Sequence, residues 1–145
     1  HKTILTPTGK TDQMALDKIK SLWEGVGAEV EVLGLDEHDQ ILSDVSHLPH
    51  LVAYAMVNAA LRGGGVPYGA GGFRDFTRIA SSSPEMWRDI CLENRQALLA
   101  SLETFEECLG EIRRAIDMKD GKVLEAEFRR AKEGRDTWLI DKGWA

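Results

Sequence analysis

The chain has few cysteines and no long apolar run, and each scarcity excludes a class of protein. Two cysteines among 145 residues cannot build the disulfide framework of a small secreted domain. Cys91 and Cys108 fall in one predicted helix, about 25 Å apart, which is too far for a disulfide. No stretch approaches the roughly 20 apolar residues of a membrane span, and nothing resembles a signal peptide. Four histidines occur without a CxxC or HExxH pattern, so we predict no metal site.

Basic residues are also in the minority, since 18 lysines and arginines face 24 acids and the net charge is −6. Nucleic acids and anionic membranes need a concentrated basic surface, whereas these arginines are dispersed among acids. We therefore expect neither as a partner. Unpaired thiols favour a reducing, cytoplasmic location. The hydrophobic content of 43% is sufficient for a core without disulfide or metal.

The start of the chain predicts a strand, a helix and a second strand. Residues 3–6 have β character, Thr11 or Asp12 caps a helix with a 3.6-residue apolar period, and residues 29–35 alternate as a strand does. Two strands are not stable alone. We therefore interpret residues 1–35 as the C-terminal remnant of an α/β dinucleotide-binding domain whose beginning is absent.

The remainder, residues 36–145, has helical spacing and is assigned to one all-α domain, so the fold class is mainly α. A helix over residues 36–45 meets Pro49, which cannot donate a backbone hydrogen bond and so kinks or restarts the helix. In this prediction Ser46 caps the restarted helix, and the three glycines from Gly63 end it.

A long helix is predicted to start at the S-x-x-E sequence of residues 82–85 and to run to about Asp117. Gly121 ends it, and a last helix runs from Lys122 to about Leu139. The long helix measures about 50 Å, more than a compact domain of about 110 residues needs. A second subunit is the simplest partner for it, so we predict a homodimer.

His47 and His50 lie one helical turn apart beside Pro49 and share a face of the predicted helix. Two interpretations remain open at this point. One imidazole contacts a small molecule at the kink, or a buried histidine is satisfied by a neighbouring carbonyl, which is the commoner arrangement.

Arg74, Asp75 and Arg78 form a charged cluster after a glycine-rich turn. A guanidinium binds a carboxylate through two parallel hydrogen bonds and stays charged at any relevant pH. If the segment is helical, Asp75 is placed to pair with Arg78. Apolar residues alternate with these charges, so we expect a half-buried segment and an anionic ligand or cross-subunit acid for its arginine.

Three strings resemble the C-terminal part of the prephenate and arogenate dehydrogenase family: TILTPTGKTD, EHDQILSDVSHLPHLVAYAMVNAAL and GAGGFRDFTRIASSSPEMWRDICLENRQALL. The resemblance runs from Thr3 to the long helix. It implies an N-terminal dinucleotide-binding domain joined to an all-helical domain through which two subunits dimerise. It also implies oxidative decarboxylation of prephenate to 4-hydroxyphenylpyruvate with NAD or NADP, in tyrosine biosynthesis.

The resemblance assigns roles to five residues of this sequence. Arg78 would hold a substrate carboxylate, and His50 would contact the side-chain end of the substrate, or tyrosine where tyrosine inhibits. Gly71 and Trp87 would line the pocket. Asp75 would pair with an arginine near the dimer interface.

The glycine-rich nucleotide fingerprint and the catalytic histidine of the family do not occur in this sequence. The resemblance therefore implies that the missing N-terminal domain supplies most of the NAD or NADP site, and that this chain holds no catalytic residue and is inactive alone. Three alternatives remain: an arogenate dehydrogenase, a helical chorismate mutase and a non-catalytic helical oligomerisation module. The strand–helix–strand start and the positions of the arginines argue against the mutase.

Overall fold

The computed structural model describes residues 1–144 of the chain, which divides into two compact units, His1–Ser101 and Leu102–Ala145. Its elements in chain order are β1 (Lys2–Leu5), α1 (Gln13–Gly25), β2 (Glu29–Val32), α2 (Leu35–Leu42), a π-helical turn (Ser43–His47), α3 (Leu48–Arg62), a 3-10 turn (Val66–Tyr68), α4 (Gly71–Thr77), a second 3-10 turn (Arg78–Ser81), α5 (Pro84–Glu93), α6 (Arg95–Asp117) and α7 (Gly121–Asp141). The predicted mainly helical class is confirmed.

The strand–helix–strand start is present, with β1 and β2 paired in parallel from Lys2 opposite Glu29. The Asp12 carboxylate caps α1 by accepting a hydrogen bond from the backbone N–H of Ala15. The second strand is shorter than predicted, because α2 begins at Leu35.

The kink predicted near Pro49 takes the form of a π-helical turn. The Leu48 N–H donates to the Ser43 carbonyl, five residues earlier, and Pro49 occupies the first turn of α3. The prediction that Ser46 caps a restarted helix is wrong, because the backbone stays helical through His47 and no side chain caps α3. The backbone accommodates the missing N–H of Pro49 by forming one wider, π-helical turn.

The predicted helix from residue 82 to 117 is two helices, so the length of about 50 Å is wrong. Asn94 leaves helical geometry with φ −93° and ψ 33° and separates α5 from α6. The cap of α5 is Ser83, whose hydroxyl accepts from the Met86 N–H, whereas Ser82 donates to the Ile79 carbonyl. The two cysteines consequently lie on different helices, and both are unpaired thiols.

The second unit contains the end of α6 and all of α7. Lys119 adopts φ 55° between them, and the Asp120 carboxylate caps α7 by accepting from the N–H groups of Lys122 and Val123. Gly121 therefore begins α7 rather than ending the helix before it, which corrects the prediction. Trp138 and Trp144 meet edge to face at 5.3 Å between ring centroids.

Many large apolar side chains remain exposed in the isolated chain. Examples on α6 and α7 are Leu109, Ile116, Phe128 and Ile140, the last of which is 67% exposed. Apolar faces of this kind mark interaction surfaces. Buried side chains in residues 1–101 are Leu33, Ser43, Ala53, Trp87, Leu98 and Ser101.

Within residues 1–144, no helix combines the length and the apolar character that a bilayer span needs. The same residues contain no group of three or more His, Cys, Asp or Glu side chains that would hold a metal ion.

Candidate functional site

The candidate site is centred on a histidine stacked on a buried tryptophan. His50 lies in the first turn of α3 and Trp87 in the first turn of α5. Their ring centroids are 3.7 Å apart and the ring planes differ by 20°, which is a stacked arrangement. The structure thus brings together two of the residues predicted to bind a ligand, although they are 37 positions apart in the chain.

The π-helical turn orients His50. Its Nδ1 lies 2.9 Å from the Ser46 carbonyl oxygen, which can only accept, so Nδ1 carries a proton. The other nitrogen, Nε2, makes no hydrogen bond to residues 1–144 and is an acceptor in the neutral ring. The turn created by Pro49 therefore fixes the tautomer of His50 and leaves one ring nitrogen for a ligand. One histidine can therefore both donate to a neighbouring carbonyl through Nδ1 and keep Nε2 for a ligand, so the two interpretations of this histidine pair are compatible.

His47, the last residue of the π-helical turn, is the third ring of this aromatic cluster. Its ring meets Trp87 edge to face, with centroids 6.1 Å apart and planes 73° apart. The Nδ1 of His47 lies 3.0 Å from the amide nitrogen of Asn94. Burial lowers the pKa of His47 below its ordinary value, and the carboxylate of Asp39 opposes that shift only in part.

The indole nitrogen of Trp87 is buried and finds no acceptor within residues 1–144. A buried donor without a partner costs about 1–3 kcal/mol. An acceptor that reaches this nitrogen from a ligand or a second chain removes that cost. Trp87 therefore combines an apolar surface for the His50 ring with a polar group that is still unsatisfied.

The segment that carries Arg78 packs against the helix that carries His50. The 3-10 turn Arg78–Ser81 and α4 both contact α3. The hydroxyl of Tyr54, on α3, donates to the Ser82 carbonyl at 2.8 Å and fastens the end of that turn. The turn that carries Arg78 is thus held against the helix that carries His50.

The charged cluster itself differs from the prediction. Arg78 is exposed in the isolated chain, and no ion pair joins it to a carboxylate of residues 1–144. Asp75 pairs with Arg74 at 3.0 Å instead, and both side chains are exposed. The expectation of a half-buried segment is wrong at these positions, because one face of α4 and the following turn is uncovered. Gly71 lies exposed at the start of α4.

A buried polar chain fastens the π-helical turn to α6. Ser43 is fully buried, and its hydroxyl lies 2.6 Å from that of Ser101. The Ser101 hydroxyl donates to the Asp44 carboxylate at 2.5 Å. Each hydroxyl has one proton. Ser101 donates its proton to Asp44. The Ser43 hydroxyl has two acceptors within reach, the Ser101 oxygen and the Gln40 carbonyl oxygen at 2.7 Å. These hydrogen bonds hold the π-helical turn that orients His47 and His50.

Sequence reasoning missed Asn94, Ser43 and Ser101 as residues of the site. Asn94 has the spacing of the apolar series Trp87, Ile90 and Leu98, and it is the single polar residue in that series. That anomaly is a usable signal, because a buried-face amide needs a partner. The serine pair left no local signal, because its members are 58 positions apart.

Comparisons with known proteins agree with this architecture. A family profile described as the prephenate dehydrogenase dimerization domain matches residues 35–130. The cyclohexadienyl dehydrogenase of Zymomonas mobilis is 39% identical over 141 residues, which cover 93% of this chain and 48% of that protein. The prephenate dehydrogenase of Bacillus subtilis is 39% identical over 138 residues, which cover 92% of this chain and 37% of that protein. The chain thus spans half or less of the length of these relatives.

Two solved structures are also similar. The prephenate dehydrogenase of A. aeolicus, in complex with hydroxyphenyl propionate and NAD+, has a TM-score of 0.88 and 40% identity; the similar region covers 94% of this chain and 49% of that one. The arogenate dehydrogenase of Synechocystis has a TM-score of 0.83 and 26% identity, with coverage of 94% and 52%.

Proposed function

The chain belongs to the prephenate dehydrogenase family and contains the dimerisation domain of that family. We propose that it is the substrate-binding and dimerisation portion of a prephenate dehydrogenase. The complete enzyme would convert prephenate to 4-hydroxyphenylpyruvate by oxidative decarboxylation, with NAD or NADP as hydride acceptor. A place in tyrosine biosynthesis and a cytoplasmic location belong to the same proposal.

The observation that carries this proposal is the stack of His50 on Trp87, with Arg78 on a turn packed against the same helix. A ring-shaped acid needs a flat apolar surface, a polar group for its ring substituent and a cation for its carboxylate. In this proposal the stacked pair of His50 and Trp87 lines the apolar surface, the Nε2 of His50 is the polar group, and the unpaired guanidinium of Arg78 is the cation. Gly71 lines the pocket in this proposal.

Substitution of His50 tests the proposal directly. In the intact enzyme, His50→Leu keeps an apolar side chain beside Trp87 and removes the hydrogen-bonding nitrogen, so prephenate affinity should fall about tenfold. Asn58→Leu is the matched control, because Asn58 is exposed on the same helix. Equal affinities of the His50 variant and the wild type would reject this assignment.

The cofactor enters the proposal through residues outside this chain. A relative was crystallised with NAD+, and the glycine-rich fingerprint for a dinucleotide does not occur in this sequence. We propose that NAD or NADP binds mainly to an N-terminal domain, and that residues 1–35 belong to that domain. The 145-residue chain alone should not reduce NAD in the presence of prephenate, and measurable reduction would overturn this part.

The proposed partner is a second copy of the chain. The family profile describes a dimerization domain, and apolar side chains on α6 and α7 are uncovered in the isolated chain. The domain boundary near residue 35 and the pairing of Asp75 with an arginine near the interface remain parts of this proposal. So does inhibition by tyrosine at the substrate site.

An arogenate dehydrogenase is the second candidate. It is favoured by the similarity to the Synechocystis arogenate dehydrogenase and to the cyclohexadienyl dehydrogenase of Zymomonas. Prephenate and arogenate differ by a keto against an amino group. Comparing kcat/KM of the intact enzyme for the two substrates separates these candidates.

A further inference from the structure

Asn94, the residue that separates α5 from α6, holds two hydrogen-bond acceptors at once. Its Nδ2 lies 2.8 Å from the Asp39 carbonyl oxygen and 3.0 Å from the Nδ1 of His47. A carbonyl oxygen only accepts, so the NH2 end of the amide must face both partners. Its two hydrogens then serve one acceptor each.

This arrangement determines the protonation state of His47. Because the Asn94 amide donates to Nδ1, that nitrogen must be unprotonated, and the ring proton sits on Nε2. Protonating Nδ1 would turn the 3.0 Å contact into one between two donors. Burial also lowers the pKa of His47, as do the neighbouring His38 on α2 and His50 on α3, while Asp39 on α2 raises it.

His50 has the opposite arrangement. Its Nδ1 donates to the Ser46 carbonyl, so this nitrogen carries the ring proton. Its ring stacks on the face of Trp87, whereas the ring of His47 meets Trp87 edge to face.

We propose that Asn94 is a positioning residue that locks His47 as the neutral, Nε2-protonated tautomer. A neutral His47 places no like charge beside His50. In the proposed function this leaves the charge that meets an acidic substrate to Arg78. Only that last consequence rests on the proposed function, because the hydrogen bonds exist without substrate.

Nitrogen NMR of the histidine rings tests the proposal without any ligand. In the wild-type chain, the Nδ1 of His47 should show the chemical shift of an unprotonated nitrogen near neutral pH. His47 should titrate below its ordinary pKa. His47→Gln and His50→Gln spectra identify the two sets of signals among the four histidines.

Asn94→Asp reverses the interaction, because a carboxylate oxygen accepts a hydrogen bond from a protonated Nδ1. The pKa of His47 should rise by about one unit or more. Asn58→Asp, which adds the same charge at an exposed position of α3, should leave His47 unchanged.

Two results would overturn the proposal: a protonated Nδ1 on neutral His47 in the wild type, or a His47 titration that Asn94→Asp does not move. If Asn94→Asp does not fold, the wild-type tautomer decides alone. Either result leaves the binding role of Arg78 untouched, so the two proposals fail separately.

Discussion

At the scale of single residues, the site is defined by which ring nitrogens are already occupied. His50 and His47 look equivalent in the sequence, one helical turn apart. The structure gives Nδ1 of His50 an acceptor and Nδ1 of His47 a donor, and so sets opposite tautomers. The chemistry of the pair is therefore decided by the Ser46 carbonyl and the Asn94 amide.

The lowered pKa of His47 predicts how stability changes with pH. A histidine whose pKa is lower in the folded state binds fewer protons folded than unfolded, so stability is lost as pH falls from about 6.5 through the folded pKa. Chemical unfolding between pH 7.5 and 5 should show this loss, and His47→Gln should reduce it. A His47→Gln variant with the wild-type pH dependence would show that His47 is not the source.

Trp87 gives a second prediction at this scale. Trp87→Phe keeps an aromatic face for His50 and removes a nitrogen that has no acceptor, so the free energy of unfolding should fall by only about 1 kcal/mol. Trp87→Ala leaves the same space empty, so the free energy of unfolding should fall by about 3–5 kcal/mol. Urea unfolding measures both. A Phe variant as unstable as the Ala variant would mean that the indole N–H has a partner in the folded protein.

At the scale of elements, the π-helical turn Ser43–His47 links the position of Pro49 to the orientation of His50. Pro49 has no backbone N–H to donate, and the helix before it is wider by one residue per turn. The side chain of His50 donates a hydrogen bond to the Ser46 carbonyl. The buried serine pair then ties this turn to α6. The irregular turn thereby becomes a fixed part of the scaffold.

Ser101→Ala tests that connection. Removing this hydroxyl leaves Asp44 without its donor and Ser43 without its buried partner, so unfolding free energy should fall by about 1–3 kcal/mol. Ser21→Ala, at an exposed position of α1, is the matched control and should change it by less than about 0.5 kcal/mol. A comparable effect of the two variants would show that the serine pair adds nothing.

The elements also show what the sequence could predict and why. The capped helix α1 and its flanking strands follow from local periodicity, and both were predicted. Asn94 could not be recognised as a break, because its neighbours keep an unbroken apolar spacing and its partners lie about 50 positions away. The pairing of Asp75 with Arg78 was mispredicted, because a three-residue helical spacing favours Arg78, whereas in the folded chain Asp75 pairs with its neighbour Arg74.

At the scale of the whole molecule, the exposed apolar side chains of α6 and α7 require a covering surface. Phe128 is 56% and Ile116 60% exposed in the isolated chain. Sedimentation equilibrium should find a dimer at micromolar concentration, and Phe128→Glu should weaken it, because a charge in an apolar interface is costly. A monomer of the wild type at that concentration would contradict the proposed partner.

The central claim is that Arg78, unpaired in the isolated chain, binds the carboxylate of the substrate. Calorimetric titration of the intact enzyme with prephenate tests it most directly. Arg78→Ala should weaken binding by at least about tenfold, since a charged hydrogen-bonded pair contributes about 1.5–3 kcal/mol. Arg74→Ala, which removes a neighbouring exposed guanidinium paired with Asp75, should bind like the wild type. Wild-type affinity in Arg78→Ala would contradict the account.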